Sequence, residues 1–291
     1  MIRSLISLAC IALMMISCKT KVDNWEPTLE EQQIGITSAH NARQLGGYFI
    51  GDKQVKKDLL LRTARLSALS AEDSLLLTEK YKVQCIYDFR SEGEIQKAPD
   101  VIPGDARHLP LSISFSENGG RADYKVESDA QMVQMLLENA EHPMIQAMCE
   151  KMYDKIFFEE SSHEVYRQFF ADLLTIDPAE GAVLWHCTQG KDRAGCASAM
   201  LLAALGADRD LIMADFTLSK SYYDPHTAQI PTTTEAQQKT ISTLISANPA
   251  IFEASLDRVE ARYGSLVNYL TECIGVTPEM METLREKFLE K

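Results

Sequence analysis

The sequence lacks an excess of positive charge. Its 291 residues carry 29 Lys plus Arg against 42 Asp plus Glu, a formal net charge of −13. The basic face on which a nucleic-acid binder depends is therefore absent, and no nucleic-acid partner is expected. From about residue 34 onward there is also no Pro/Gly/Ser-rich linker, low-complexity stretch or internal repeat, which argues for one continuous domain. The seven cysteines are odd in number and scattered, so they do not form a disulfide framework. A chain of this length has core enough to need no disulfide or metal staple. With 45% hydrophobic and 24% charged residues, the composition excludes disordered, collagen-like and polytopic membrane classes.

The apolar run nearest the start, Leu5 to Ile16 behind Arg3, is too short to span a bilayer comfortably and has the layout of a secretory signal. Residues 1–17 are read as a signal peptide. Met15-Ile16-Ser17-Cys18 resembles the lipobox of bacterial lipoproteins, which implies cleavage before Cys18 and acylation of its sulfur. Residues 18–33 would then be a lipid-anchored tether and residues 34–291 the folded domain, held at the bacterial cell envelope through the membrane. A plain signal peptide with an incidental cysteine is the competing reading. A reactive cysteine in such a compartment must survive oxidising surroundings.

The remainder alternates between strand and helix patterns. Strands are predicted at 58–61, 83–87, 108–111 and 182–185, the second ending at the polar cluster Asp88-Phe89-Arg90-Ser91. Helices are predicted at 70–82 with Ser70 as N-cap, 194–205, 208–220, 234–246, 252–273 and 278–290, the last capped by Thr277. Residues 128–176 read as helical, rich in Met, Leu and Phe, with breaks near Pro143 and Ser161-Ser162. Such a stripe is packing surface rather than a ligand box. The alternation argues for an α/β fold, a central mostly parallel sheet flanked by helices, with 128–176 as a helical insertion near the site.

The segment that carries chemistry is His186-Cys187-Thr188-Gln189-Gly190-Lys191-Asp192-Arg193-Ala194-Gly195, between a predicted strand and a predicted helix. A loop there aims successive backbone N–H groups and the positive helix end at one point, an anion site. The same field favours thiolate over thiol at Cys187 and so makes a nucleophile. Arg193, six positions on, offers a planar fork to two phosphate oxygens. None of the other six cysteines has Arg at that offset. A nucleotide-binding P-loop is excluded, because no Gly stands five residues before Gly190 and Asp192 follows Lys191 where Ser or Thr would hold magnesium.

This loop resembles that of the bacterial tyrosine phosphatases of the cysteine-dependent superfamily, His-Cys-x-x-Gly-Lys-Asp-Arg-x-Gly. Asn41-Ala42-Arg43-Gln44-Leu45-Gly46-Gly47-Tyr48, Leu61-Arg62-Thr63-Ala64-Arg65-Leu66, Asp88-Phe89-Arg90-Ser91 and Tyr263-Gly264-Ser265 are similar to further motifs of that family. The likeness runs from about Asn41 to Leu289, with 128–176 the least matched. It implies hydrolysis of phosphate monoesters through a phosphocysteine on Cys187, without metal or other cofactor. Backbone groups of Thr188, Gln189, Gly190, Lys191, Ala194 and Gly195 would hold the phosphate with Arg193. Asp192 is the family's favoured general acid and Asp88 the other carboxylate that could serve. Lys191 matches a position facing additional phosphate or the acid. The expected substrates are a phosphotyrosine protein first, then phosphoserine/threonine proteins, or a phosphoinositide or inositol phosphate.

The wider superfamily has Ser or Thr directly after the loop arginine, where this chain has Ala194; slower breakdown of the phosphoenzyme is expected. A catalytically weakened phosphate-recognising module and a sulfur transferase are the rival classes. Asn41, Arg43, Gly46 and Gly47 are read as a turn bracing the site, and His186 as orienting the loop. Cys149 and Cys273 are read as core. His142, His163 and His226 lack partners at metal-ligand spacing and are read as surface or capping residues. Cys85, on a strand expected beside that of Cys187, suggests a reversible Cys85–Cys187 disulfide shielding the nucleophile.

Overall fold

A computed structural model describes residues 27–114 and 129–291. The expected signal peptide, Cys18 and most of the tether lie outside the described residues. Among the described residues eight strands form two sheets: β1 (Arg43–Gln44), β2 (Phe49–Ile50), β3 (Lys53–Val55), β4 (Leu60–Thr63), β5 (Cys85–Asp88), β6 (Arg107–Pro110), β7 (Val183–His186) and β8 (Leu289–Glu290). The main sheet has the order β1-β4-β7-β5-β6. β4, β7, β5 and β6 run parallel to one another, and β1 is an antiparallel edge beside β4. β2, β3 and β8 make a small antiparallel sheet that ties the last residues of the chain to the N-terminal motif.

β4, β5 and β7 are buried at every position, as parallel strands covered on both faces must be. Successive side chains alternate faces. Leu61, Ile86 and Leu184 join one apolar cluster with Leu77 and Tyr81. Leu60, Cys85, Tyr87, Val183 and Trp185 join the larger cluster on the other face with Phe169, Phe170 and Met200. The helix Ala71–Glu79 covers the first face, and its N-cap Ser70 accepts from the Asp73 N–H. The helix Arg193–Leu205 is buried along its whole length against the second. Its alanines and Gly195 permit the close approach: a Cβ on Gly195 would stand 3.2 Å from an Arg62 nitrogen and 3.3 Å from Phe216.

The predicted strands and helices are present, with three differences of physical interest. The stretch 252–273 divides into Pro249–Tyr263, Leu266–Tyr269 and a π-turn Leu270–Ile274, because Gly264 takes φ +82° and Ser265 caps a new helix. Ser161 and Ser162 do not break the helical insertion. They lie inside the helix Glu160–Leu173, and the break falls at Glu159, whose backbone is extended. The helix after Asp208 runs to Thr227 through Pro225. No described helix is long and apolar enough to cross a membrane.

Three strand ends define the site. Thr63 of β4 and Asp88 of β5 both pair with His186 of β7, so the Cys187 loop leaves the carboxyl edge of the sheet between its two neighbours. Ligands of open α/β sheets bind at such an edge. The same register excludes the Cys85–Cys187 disulfide. Cys85 pairs with Val183, four residues before Cys187, which places the two cysteines about 13 Å apart along the strand, where a disulfide needs Cα atoms within about 7 Å. Cys85 Sγ instead points to Asp172, 3.9 Å away, and burial pushes its thiol up to about 11.

Candidate active site

Cys187 is 2% exposed and begins the turn from β7 into the helix Arg193–Leu205. The turn is held from outside, carbonyl by carbonyl. Thr188 O accepts from the Arg65 N–H at 3.3 Å, and Gln189 O from Asn41 Nδ2 at 3.3 Å and from the Tyr223 hydroxyl. Arg62 Nη2 donates to Gly190 O at 2.7 Å and Lys191 O at 3.4 Å. Asp192 O takes the Cys196 N–H at 2.8 Å, Arg193 O the Tyr166 hydroxyl at 3.0 Å, and Ala194 O the Ser198 hydroxyl at 2.9 Å. The carbonyls of Thr188 to Ala194 are thus each bonded, and the opposite ends of the same peptides are left over. Among the described residues the N–H groups of Thr188 to Asp192 meet no acceptor. A row of such donors at a helix N-terminus can receive an anion. Gly190 is required here: its φ is +65°, and a Cβ would overlap the Thr63 carbonyl.

The outer brace is an ion cluster between β1, β4 and the helix Arg209–Thr227. Asp215 accepts from Arg43 Nε at 3.2 Å, Arg62 Nη1 at 2.6 Å and the Tyr48 hydroxyl at 2.9 Å. Burial opposes charge on Asp215, but the two arginines outweigh it and hold its carboxyl below the usual range. Burial and the neighbouring Arg43 bring Arg62 down to about 10. The Asn41 and Arg43 motif thus acts as the expected brace. Arg62, Lys191 and Arg193 all interact electrostatically with Cys187.

Arg193 is gripped by Glu94: Nη1 to Oε2 is 2.7 Å and Nη2 to Oε1 is 2.8 Å. Arg193 Nη1 also donates to Phe89 O and Ile113 O. Glu94 accepts in addition from the Thr188 hydroxyl and from the N–H and hydroxyl of Ser91. Burial disfavours its charge, yet Arg193, Thr188 and Ser91 overcome that and hold the carboxyl far below the carboxylate range. Reading the sequence missed this residue. The Ser91-x-x-Glu94 capping box of the helix Glu92–Lys97 was a visible signal that its carboxylate faces the helix start, but not that an arginine 99 positions away would share it.

A profile of the tyrosine phosphatase family matches residues 34–290. The chain belongs to that family. It is 27% identical over 256 residues, 84% of each chain, to a Cupriavidus necator protein named as a tyrosine-protein phosphatase. It is also 28% identical over 130 residues, 39% of this chain and 46% of the relative, to the triple specificity protein phosphatase PtpB of Mycobacterium tuberculosis. Among solved structures it is similar to the core catalytic domain of the PP-IP phosphatase SIW14 of S. cerevisiae, at 11% identity, a TM-score of 0.33, and coverage of 81% of this chain and 97% of that one.

The two carboxylates open to the role of acid in this phosphatase family member are placed very differently. Asp88 is fully buried in an ion cluster. Arg90 donates to it at 2.9 Å and 2.7 Å and to Asp100 at 2.6 Å, while His108 and His186 approach the same carboxylates. Asp88, Asp100, His108 and His186 converge as metal ligands would, but the Arg90 guanidinium already bridges the two carboxylates and supplies the positive charge. Burial works against ionisation of Asp88, and His108, His186 and Arg90 outweigh it, so its carboxyl is held well below its ordinary range. Asp192 has other partners. Its Oδ1 accepts from the Tyr153 hydroxyl at 2.9 Å and its Oδ2 lies 3.6 Å from the Lys191 ammonium.

The Lys191 ammonium, 3.6 Å from Asp192 Oδ2, is held by backbone carbonyls. It is fully buried and donates to Thr243 O at 3.0 Å and Ser246 O at 2.5 Å, at the carboxyl end of the helix Glu235–Leu244. That placement suits a cation facing a helix C-terminus, and burial lowers its pKa. His142 is an N-cap that accepts from the Met144 N–H. His163 is buried and bonded to Phe157 O at 2.8 Å.

Proposed function

We propose that the protein is a cysteine-dependent phosphatase in which Cys187 is the nucleophile, Asp192 the general acid and base, and the Thr188–Gly195 turn with Arg193 the phosphate cradle. The observation that carries this reading is the row of N–H groups from Thr188 to Asp192 that meet no acceptor among the described residues, beside a buried cysteine that interacts with three cations. The Cys187 sulfur attacks phosphorus, the S–P bond forms as the P–O bond to the leaving group breaks, and the Asp192 proton passes to the departing oxygen. Water then attacks phosphorus and returns a proton to Asp192. The S–P bond breaks, and phosphate and thiolate are released. The loop amides and Arg193 stabilise charge on the equatorial oxygens, the largest electrostatic contribution in such transfers. Asp88, held ionised by Arg90, has no proton to donate at neutral pH and acts as a structural strut.

Phosphotyrosine is the first substrate, with phosphoserine/threonine next and phosphoinositides or inositol phosphates as the alternative. The relative named for triple specificity supports testing all of them. Anchoring at the cell envelope through acylated Cys18 belongs to the same proposal, resting on the Met15–Cys18 sequence. The test is hydrolysis of an aryl phosphate in the presence of chelator, by the wild type and by Cys187→Ser. Activity confined to the wild type supports the reading. Phosphate binding without turnover by the wild type would replace it with the recognition module. For the anchor, Cys18→Ala should release the protein from membranes; unchanged membrane retention and no lipid on Cys18 would remove it.

A further inference from the structure

Tyr153 lies in the helical insertion, between the helices Pro143–Glu150 and Asp154–Phe158, in the part of the chain least like the family motifs. It is fully buried. The rings of Phe216 and Phe252 stand edge-on to it at 5.8 Å and 5.3 Å, so its direction is fixed by packing. Its hydroxyl donates to Asp192 Oδ1 at 2.9 Å. Asp192 is the N-cap residue of the helix Arg193–Leu205 but makes no side-chain cap bond there. The carboxyl is therefore oriented by Tyr153 and not by its own helix.

We propose that Tyr153 is a positioning residue that aims the Asp192 carboxyl. This rests on the reading of Asp192 as general acid. The Tyr153 bond keeps the carboxyl in one rotamer, and general-acid transfer depends on that alignment. The other groups acting around Asp192 include Lys191 and Arg193 in the loop, Cys196 one turn along its helix, and Tyr223 on the helix Arg209–Thr227. Of the surrounding residues, Tyr153 is the one whose neutral hydroxyl bonds the carboxyl directly. Its substitution by Phe removes one hydrogen bond and no charge.

The experiment measures kcat and KM for Tyr153→Phe in the full-length protein, with aryl phosphates of good and of poor leaving groups. The expected result is a loss of kcat of roughly tenfold for the poor leaving group, on the scale of one hydrogen bond to a charged group, with little change for the good one and none in KM. In an Asp192→Asn background the same substitution should add nothing further. Fluorotyrosine at position 153, which keeps the ring and the hydroxyl, should retain the wild-type leaving-group dependence, and it serves if the Phe variant does not fold. Equal losses for both leaving groups overturn the proposal. If Asp192→Asn itself spares the poor leaving group, the assignment of the acid fails; if it does not and Tyr153→Phe behaves as wild type, the positioning role alone fails.

Discussion

Asp88 and Asp192 are both buried acidic residues at the carboxyl edge of one sheet, yet they sit in opposite electrostatic settings. Asp88 belongs to the β5 and β6 side, where Arg90, Asp100, His108 and His186 form a closed ion cluster. Asp192 belongs to the helical side, where one tyrosine hydroxyl and a lysine ammonium at 3.6 Å are its partners. The first arrangement fixes charge and geometry and suits a strut. The second holds the carboxyl through one hydroxyl beside a cation, and suits the proposed general acid. A carboxylate in a cleft is thus assigned its role by its partners, not by proximity to the nucleophile.

The comparison breaks most visibly if the two residues exchange effects. Asp192→Ala should lower kcat by about 10²–10⁴-fold on substrates with poor leaving groups, while its melting temperature stays close to wild type. Asp88→Asn should do the reverse. Loss of one partner from a buried ion cluster costs about 3–5 kcal/mol, a melting temperature lower by roughly 6–20 °C in a domain of this size, whereas the leaving-group dependence of the remaining activity stays that of the wild type. A melting scan and an aryl phosphate series on the two purified variants decide it.

Acid titration sharpens the same contrast. The folded-state pKa values of Asp88 and Glu94 are depressed, so the stability they contribute is complete above their unfolded values, about 4, and drains away as pH falls below that point toward the folded values. Wild-type melting temperature should therefore be level from neutral pH to about 5 and fall steeply below 4. Asp88→Asn should show a shallower acid slope in the same scan.

Glu94→Gln should have a smaller effect on rate, about tenfold in kcat/KM, the scale of one charge-assisted hydrogen bond. It leaves Arg193 in place but frees its fork, and steady-state assays on one aryl phosphate would show the loss. The smallest expected change is at Ala194. Ala194→Ser restores a hydroxyl beside the loop arginine and should speed breakdown of the phosphoenzyme about threefold, on the scale of one modest hydrogen bond. Rapid-quench kinetics reads this as a reduced burst. No burst in the wild type and no acceleration in the variant would remove the idea of a slow second step.

The loop was legible in the sequence because its chemistry is contiguous. Cys187, Gly190, Lys191, Asp192 and Arg193 lie within seven residues, and the apolar runs before and after them read directly as a buried strand and helix. The strand and helix order was legible for the same reason, since period and length are local properties. The groups that hold the loop were not. Asp215 is 172 residues from Arg43, Glu94 is 99 from Arg193 and Tyr153 is 39 from Asp192. Each looks like an ordinary helix residue in its own neighbourhood. Lys191 shows the same limit: its type and place suggested a contact with phosphate or with the acid, and it lies 3.6 Å from Asp192, whereas its bonds to the carbonyls of Thr243 and Ser246 depend on how a distant helix ends. Long-range polar pairs in this fold are specified by packing, which periodicity does not encode.

The most direct test of the account is to trap the intermediate. Asp192→Ala, mixed with an aryl phosphate bearing a good leaving group and quenched in acid, should carry one phosphoryl group on the peptide containing Cys187, as read by intact-mass and peptide mass spectrometry. Cys187→Ser treated in the same way should carry none. A wild type that hydrolyses the substrate with no phosphoryl group ever found on Cys187, or with one found on another residue, would contradict it.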